Sequence, residues 1–97
     1  MIKHIVMWRL KEGIDKAASA RAIKEALEGL NGKIPGLLHL EVGINFVADE
    51  QASDVVLYSE FESRAALEAY QTHPAHNVAA EVVKVARAER RVVDYEA

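Results

Sequence analysis

The hydrophobic period of this chain switches from two to about 3.6 and back twice, and that succession limits the fold more than any other feature. Residues 2–10 alternate, so Ile2, His4, Val6, Trp8 and Leu10 share one face of a strand while Lys3, Ile5, Met7 and Arg9 share the other. Lys11-Glu12-Gly13 reads as a turn. From Asp15 to about Lys33 the residues Ala20, Ile23, Leu27, Leu30 and Ile34 recur every three or four positions, the stripe of an amphipathic helix. Asp15 serves as its N-cap and Gly32 as its C-cap, just before Pro35. Residues 37–47 return to period two, with Leu38, Leu40, Val42, Ile44 and Phe46 on one side and His39, Glu41 and Asn45 on the other. Residues 48–53 form a polar loop. A third strand over 54–61 carries Val55, Leu57 and Phe61 on one face and Val56, Tyr58 and Glu60 on the other.

Ser63 then caps a short helix through Gln71. His73-Pro74 interrupts it, and Pro74 opens a new helix expected to run to about Glu89 on a stripe of Val78, Val82, Val85 and Ala86. Residues 90–95 close the chain as a last short strand. The order strand, helix, strand, strand, broken helix, strand predicts a single α+β domain over residues 1–97. Its form is a ferredoxin-like sandwich: a four-stranded, mainly antiparallel sheet with the helices on one face. The other face carries Ile5, Met7, Val56 and Val93 beside Arg9, His39, Glu41, Tyr58, Glu60 and Arg91. It is too apolar for water and too polar for a dry core, which predicts a homodimer whose partner sheet covers it and closes an α/β barrel.

Composition narrows the function. The chain has no cysteine, which removes disulfides, thiol nucleophiles, iron–sulfur clusters and Cys-ligated zinc. Twelve basic against fifteen acidic side chains argue against nucleic acid as a partner. No apolar run is long enough for a membrane span, and the first residues read as a strand, so a cytoplasmic protein is expected.

Three places carry chemistry. His4 sits between Ile2 and Val6 on the more apolar face of the first strand, either as a core histidine bonded to a neighbour or as the lining of a pocket. Tyr70, His73 and His76 surround the helix break. The new helix start aims amides with partial positive charge at His76, which disfavours imidazolium and makes His76 a candidate base. Tyr70 at the end of the short helix is placed to bring its hydroxyl near. The alternative is that these residues only knit the break, with His73 as the cap. Two histidines three apart can share a metal, but no third ligand accompanies His73 and His76, so neither a metal nor a cofactor is expected. Lys84, Arg87 and Arg91, with Arg90 beside them, recur near a helix C-terminus as a solvated face or, less simply, an anion patch.

The opening Ile2-Lys3-His4-Ile5-Val6-Met7-Trp8-Arg9-Leu10-Lys11, then Ile34-Pro35-Gly36, Phe61-Glu62-Ser63, Tyr70 followed by His73-Pro74-Ala75-His76, and the ending Val93-Asp94-Tyr95 resemble the stress-responsive dimeric A/B barrel domain over essentially the whole chain. The resemblance implies a ferredoxin-like protomer whose sheet packs on a symmetry mate, and no single activity. Some look-alikes, the plant olivetolic-acid-type polyketide cyclases, perform aldol chemistry between helices and sheet. By that likeness Tyr70 and His76 bind and deprotonate substrate and His4 lines the pocket. Val55 stands where the cyclase has a further pocket histidine. The expectation is therefore a dimeric protein with a pocket for a small apolar carbonyl compound, lined by His4, Val55 and His73 with Tyr70 and His76 as the reactive pair, and with negligible cyclase activity. The alternatives are a polyketide-cyclase-like lyase, a non-catalytic protective or regulatory dimer, and a cofactor-poor oxygenase or haem-degrading enzyme, toward which only Trp8 and His76 point.

Overall fold

The computed structural model describes residues 1–97. The elements run β1 (Ile2–Leu10), α1 (Lys16–Glu28), β2 (Leu37–Ile44), β3 (Val55–Phe61), α2 (Arg64–Thr72), α3 (Pro74–Ala86) and β4 (Arg87–Glu96). The sheet order is β2-β3-β1-β4. Every neighbouring pair is antiparallel. Two βα halves with the hairpin β2–β3 between them produce this α+β, ferredoxin-like arrangement.

The alternation of β1 and β3 survives intact. Ile2, His4, Val6 and Trp8 pair across to Phe61, Ser59, Leu57 and Val55 on one buried face, which Leu10 continues. That face packs against Ala20, Ile23 and Leu27 of α1, Leu67 and Tyr70 of α2, and Ala79, Val83 and Ala86 of α3. All three helices therefore lie on the same side of the sheet.

β2 lies at one edge, where unpaired backbone groups invite further strands. Side chains of α1 and the turn after it close that edge. Asn31 Nδ2 donates to the Leu40 carbonyl at 2.9 Å, and Asn31 Oδ1 accepts from the Leu40 amide at 3.1 Å. The Val42 amide donates to Glu28 Oε2 at 3.0 Å while Lys24 Nζ donates to the Val42 carbonyl at 2.6 Å. The Lys24 ammonium and the Val42 amide hold the Glu28 carboxyl below its ordinary pKa.

Several expected boundaries and faces move. α1 ends at Glu28 with Gly29 as C-cap, and Gly32 instead takes a left-handed φ of 80° within the turns that follow. The clasp by Asn31 explains the early end, since that side chain must leave the helix to reach β2. The register shifts between Leu37 and His39, so Leu37 packs on the core and Leu38 turns outward. Ile44 and Phe46 reach past the helices and are exposed. α3 buries Ala79, Val83 and Ala86, not the expected valines: Val78 is 74% and Val85 69% exposed. α3 also stops at Ala86, three residues early, and β4 begins at once.

Candidate functional site

The helix break positions the site. α2 ends at Thr72, and His73 follows in an extended conformation with its side chain accepting the Ala75 amide at 3.0 Å. Pro74 occupies the first turn of α3, where a missing N–H costs nothing. This joint folds the first turn of α3 over the last turn of α2. The rings of Tyr70 and His76 meet edge-on with centroids 4.5 Å apart.

Beneath them lies a cavity of about 140 Å³. Its floor is the inner face of the sheet, with His4, Val6 and Trp8 from β1 and Leu57 from β3. Leu27, Tyr70, His76, Ala80 and Val83 form the walls from the helices, and Lys84, Arg87 and Arg90 ring the rest. His4 is buried and its Nδ1 donates to Asp94 Oδ1 of the neighbouring strand β4. That bond orients the imidazole and leaves Nε2 for another partner. The His4 ring stands 6.3 Å from Tyr70 and from Phe61, both edge-on.

Three buried polar atoms of the molecule have no hydrogen-bond partner: Trp8 Nε1, Tyr70 Oη and His76 Nδ1. All three residues line this one cavity. Burial pushes the Tyr70 phenol up to about 12, so its hydroxyl stays protonated. Burial also lowers the His76 pKa, with the charges of His4 and Lys84 acting in the same direction. The direction is the one expected from the helix start, but the leading cause is loss of water.

His4, Tyr70 and His76 thus come together as their positions suggested. The other two expected lining residues lie elsewhere. Val55 packs in the core opposite Trp8 and also borders a depression that opens on the other face of the sheet. His73 is the helix cap, its Nδ1 engaged by the Ala75 amide. Sequence reading missed Trp8, taken as a plain core residue, and Asp94, whose place beside His4 depends on the β1–β4 register. It also put Arg91 on one face with Lys84 and Arg87, with Arg90 only beside them. Helical spacing was assumed there, whereas the chain is already a strand and Arg91 points to the opposite face.

The family model described as the stress responsive A/B barrel domain matches residues 2–97. The chain belongs to that family. This A/B barrel domain is 32% identical over 77 residues to an uncharacterized protein, SCO4036, of Streptomyces coelicolor, covering 78% of this chain and 79% of the relative. It is similar to a solved dimeric, ferredoxin-like protein of unknown function from Bacteroides fragilis, at 33% identity and a TM-score of 0.91 over 99% of this chain and 95% of that one. A hydroxynitrile lyase from Passiflora edulis shares the fold at 19% identity and a TM-score of 0.75, covering 97% of this chain and 90% of its own. The fold therefore serves enzymes and proteins of unassigned activity alike.

A larger depression of about 660 Å³ lies on the open face of the A/B barrel domain, bordered by Met7, Arg9, Phe46, Val56 and Arg91. It contains no buried polar atom without a partner, and it sits on the surface that a second sheet would cover. The smaller cavity is the candidate site because the three residues with unpaired buried groups all line it.

Proposed function

We propose that this A/B barrel domain works as a homodimer that binds a small carbonyl compound in the cavity between helices and sheet. The observation that carries this reading is that Trp8, Tyr70 and His76, the residues whose buried side-chain polar atoms lack a partner, all line one cavity. Leaving a buried polar group without a partner costs about 1–3 kcal/mol. Three such groups in one place are a standing cost to the fold that a ligand oxygen would relieve. An apolar cavity of roughly 150 Å³ accommodates benzene, so a ring or short acyl chain is the right size of body for a space of about 140 Å³.

The same geometry supports acid–base chemistry as a second reading. A neutral His76 accepts a proton from the carbon beside a carbonyl, and the Tyr70 hydroxyl donates to the oxygen where charge develops. His4, held by Asp94, stands next to both. The dimer reading is supported by the half-apolar open face and by the dimeric state named for the Bacteroides fragilis relative.

Acetophenone is the probe for the cavity. In titrations followed by NMR, the ring resonances of Tyr70, His76 and Trp8 should shift together and saturate, while surface tyrosine Tyr95 stays still. No shift at any of the three would overturn the ligand reading.

A further inference from the structure

The rim of the cavity carries charge of one sign. The chain has fifteen acidic and twelve basic side chains, yet Lys84, Arg87 and Arg90 all line this cavity and no carboxylate does. Lys84 Nζ is 3.4 Å from Glu81 Oε1, an exposed pair on α3. Arg87 and Arg90 have no carboxylate within ion-pair distance. The nearest acid of the sheet's inner face, Asp94, is engaged with His4.

The placement of the two arginines depends on an irregularity. In a regular strand, residues three apart face opposite ways. Here Leu10 pairs with Arg87 and Arg9 with Glu89, so the register slips and Ala88 is the extra residue. The slip turns both Arg87 and Arg90 to the inner face, with Arg90 opposite Trp8, and sends Glu89 and Arg91 to the other side. A bulge of this kind re-aims side chains beside sites and strand edges. It gathers two cations at the opening and removes the one acid between them.

We propose that the ligand of this cavity is an organic anion, with its uncharged carbonyl end among Tyr70, His76 and Trp8 and a carboxylate held at the mouth by Arg87 and Arg90. The inference rests on the cavity being a ligand site, and adds the chemical class of the ligand. Guanidinium presents two parallel donors that match a carboxylate, which fits arginine at this position better than a diffuse positive surface. Lys84 adds charge at the rim.

A matched pair of aryl ketones decides the matter: 4-acetylbenzoate and its amide, 4-acetylbenzamide, titrated into the full chain by calorimetry and by NMR. The acid should bind at least about tenfold tighter than the amide, the size expected for a charge-assisted hydrogen bond. The preference should shrink as salt rises from 0.05 M to 0.5 M. The double variant Arg87→Gln, Arg90→Gln should lose the preference, the acid falling to the affinity of the amide, and Arg21→Gln, an exposed change on α1, should keep it. Equal affinity for acid and amide, or a preference that survives in the double variant, overturns the anion inference and leaves the cavity reading standing. Failure of acid, amide and acetophenone alike to shift Tyr70 and His76 overturns both. Should the double variant not fold, loss of preference in Arg90→Gln alone supports the inference and its retention there overturns it.

Discussion

Tyr70 carries a hydroxyl for which the fold has no use. Its ring is 1% exposed and packs 5.0 Å from Phe61, while its oxygen finds no partner. Tyr70→Phe removes the unpaired group and keeps the ring. It should leave stability unchanged or raise it by up to about 1 kcal/mol, and weaken binding of any carbonyl ligand. Urea denaturation checks the first half, and a loss above about 1 kcal/mol would show that the hydroxyl serves the fold. His76 makes a second residue-scale prediction. Its folded pKa lies below 6.5, its value in the unfolded chain. Between those two values the unfolded chain holds more protons, so acid favours unfolding. The stability due to a neutral His76 is complete above about pH 6.5 and lost as pH falls through the lower folded value. His76→Gln should therefore flatten the fall in stability between about pH 7.5 and 5.5, measured by denaturation at several pH values. These two residues and His4 were legible in the sequence because the Tyr-x-x-His-Pro-x-His run and the strand alternation each place a side chain by local rules. Trp8 Nε1 was not, since an indole is as good a core residue as a pocket donor until the neighbouring helices are placed.

At the scale of elements, the joints decide more than the helices and strands they connect. Gly36 and Gly13 both take a φ of 80°, where an alanine is strained. They differ in surroundings. A Cβ on Gly36 would stand 2.5 Å from Ala66 Cβ, whereas one on Gly13 meets nothing within 4 Å. Gly13→Ala should cost about 1 kcal/mol, the backbone term alone. Gly36→Ala should cost at least about 2 kcal/mol more, because β2 and α2 must separate to admit it. Thermal or urea denaturation of the pair isolates the clash, and equal losses would refute it. The order of elements was readable from period alone. Their ends were less so. The Asn31 clasp on β2 is a long-range contact that truncates α1, and no local signal marks it. The period of residues 78–86 misled in part: of the expected stripe, Ala86 is buried and Val82 packs against the core, while Val78 and Val85 are exposed.

In the whole molecule, one sheet face is sealed by helices and the other is not. Val93 is 50% and Met7 41% exposed on the open face, and Phe46 beside it is 96% exposed. Interleaved with them are polar groups already matched among themselves. Tyr58 Oη donates to Glu60 Oε2 at 2.6 Å, Lys3 Nζ lies 5.9 Å from the Tyr58 ring, and His39 pairs with Glu41 at 3.1 Å. These groups can be covered without stranding charges, while Arg91 on the same face has no ion-pair partner within the protomer. The mixed character of this face was legible in the alternation of β1 and β3, since neither strand depends on distant contacts for its parity. Val56 stands on central strand β3, between Met7 of β1 and Gly43 of β2. In a lone protomer an aspartate there remains half in water and costs the fold little. Under a partner sheet the same carboxylate is taken out of water, at a cost of several kcal/mol. Val56→Asp should thus keep its circular dichroism and ligand binding while its dimer dissociates at least about a hundredfold more readily. Sedimentation at micromolar concentration reads both species. A wild-type chain that sediments as a monomer, or a variant that stays dimeric, would mean that this face is not where two copies meet.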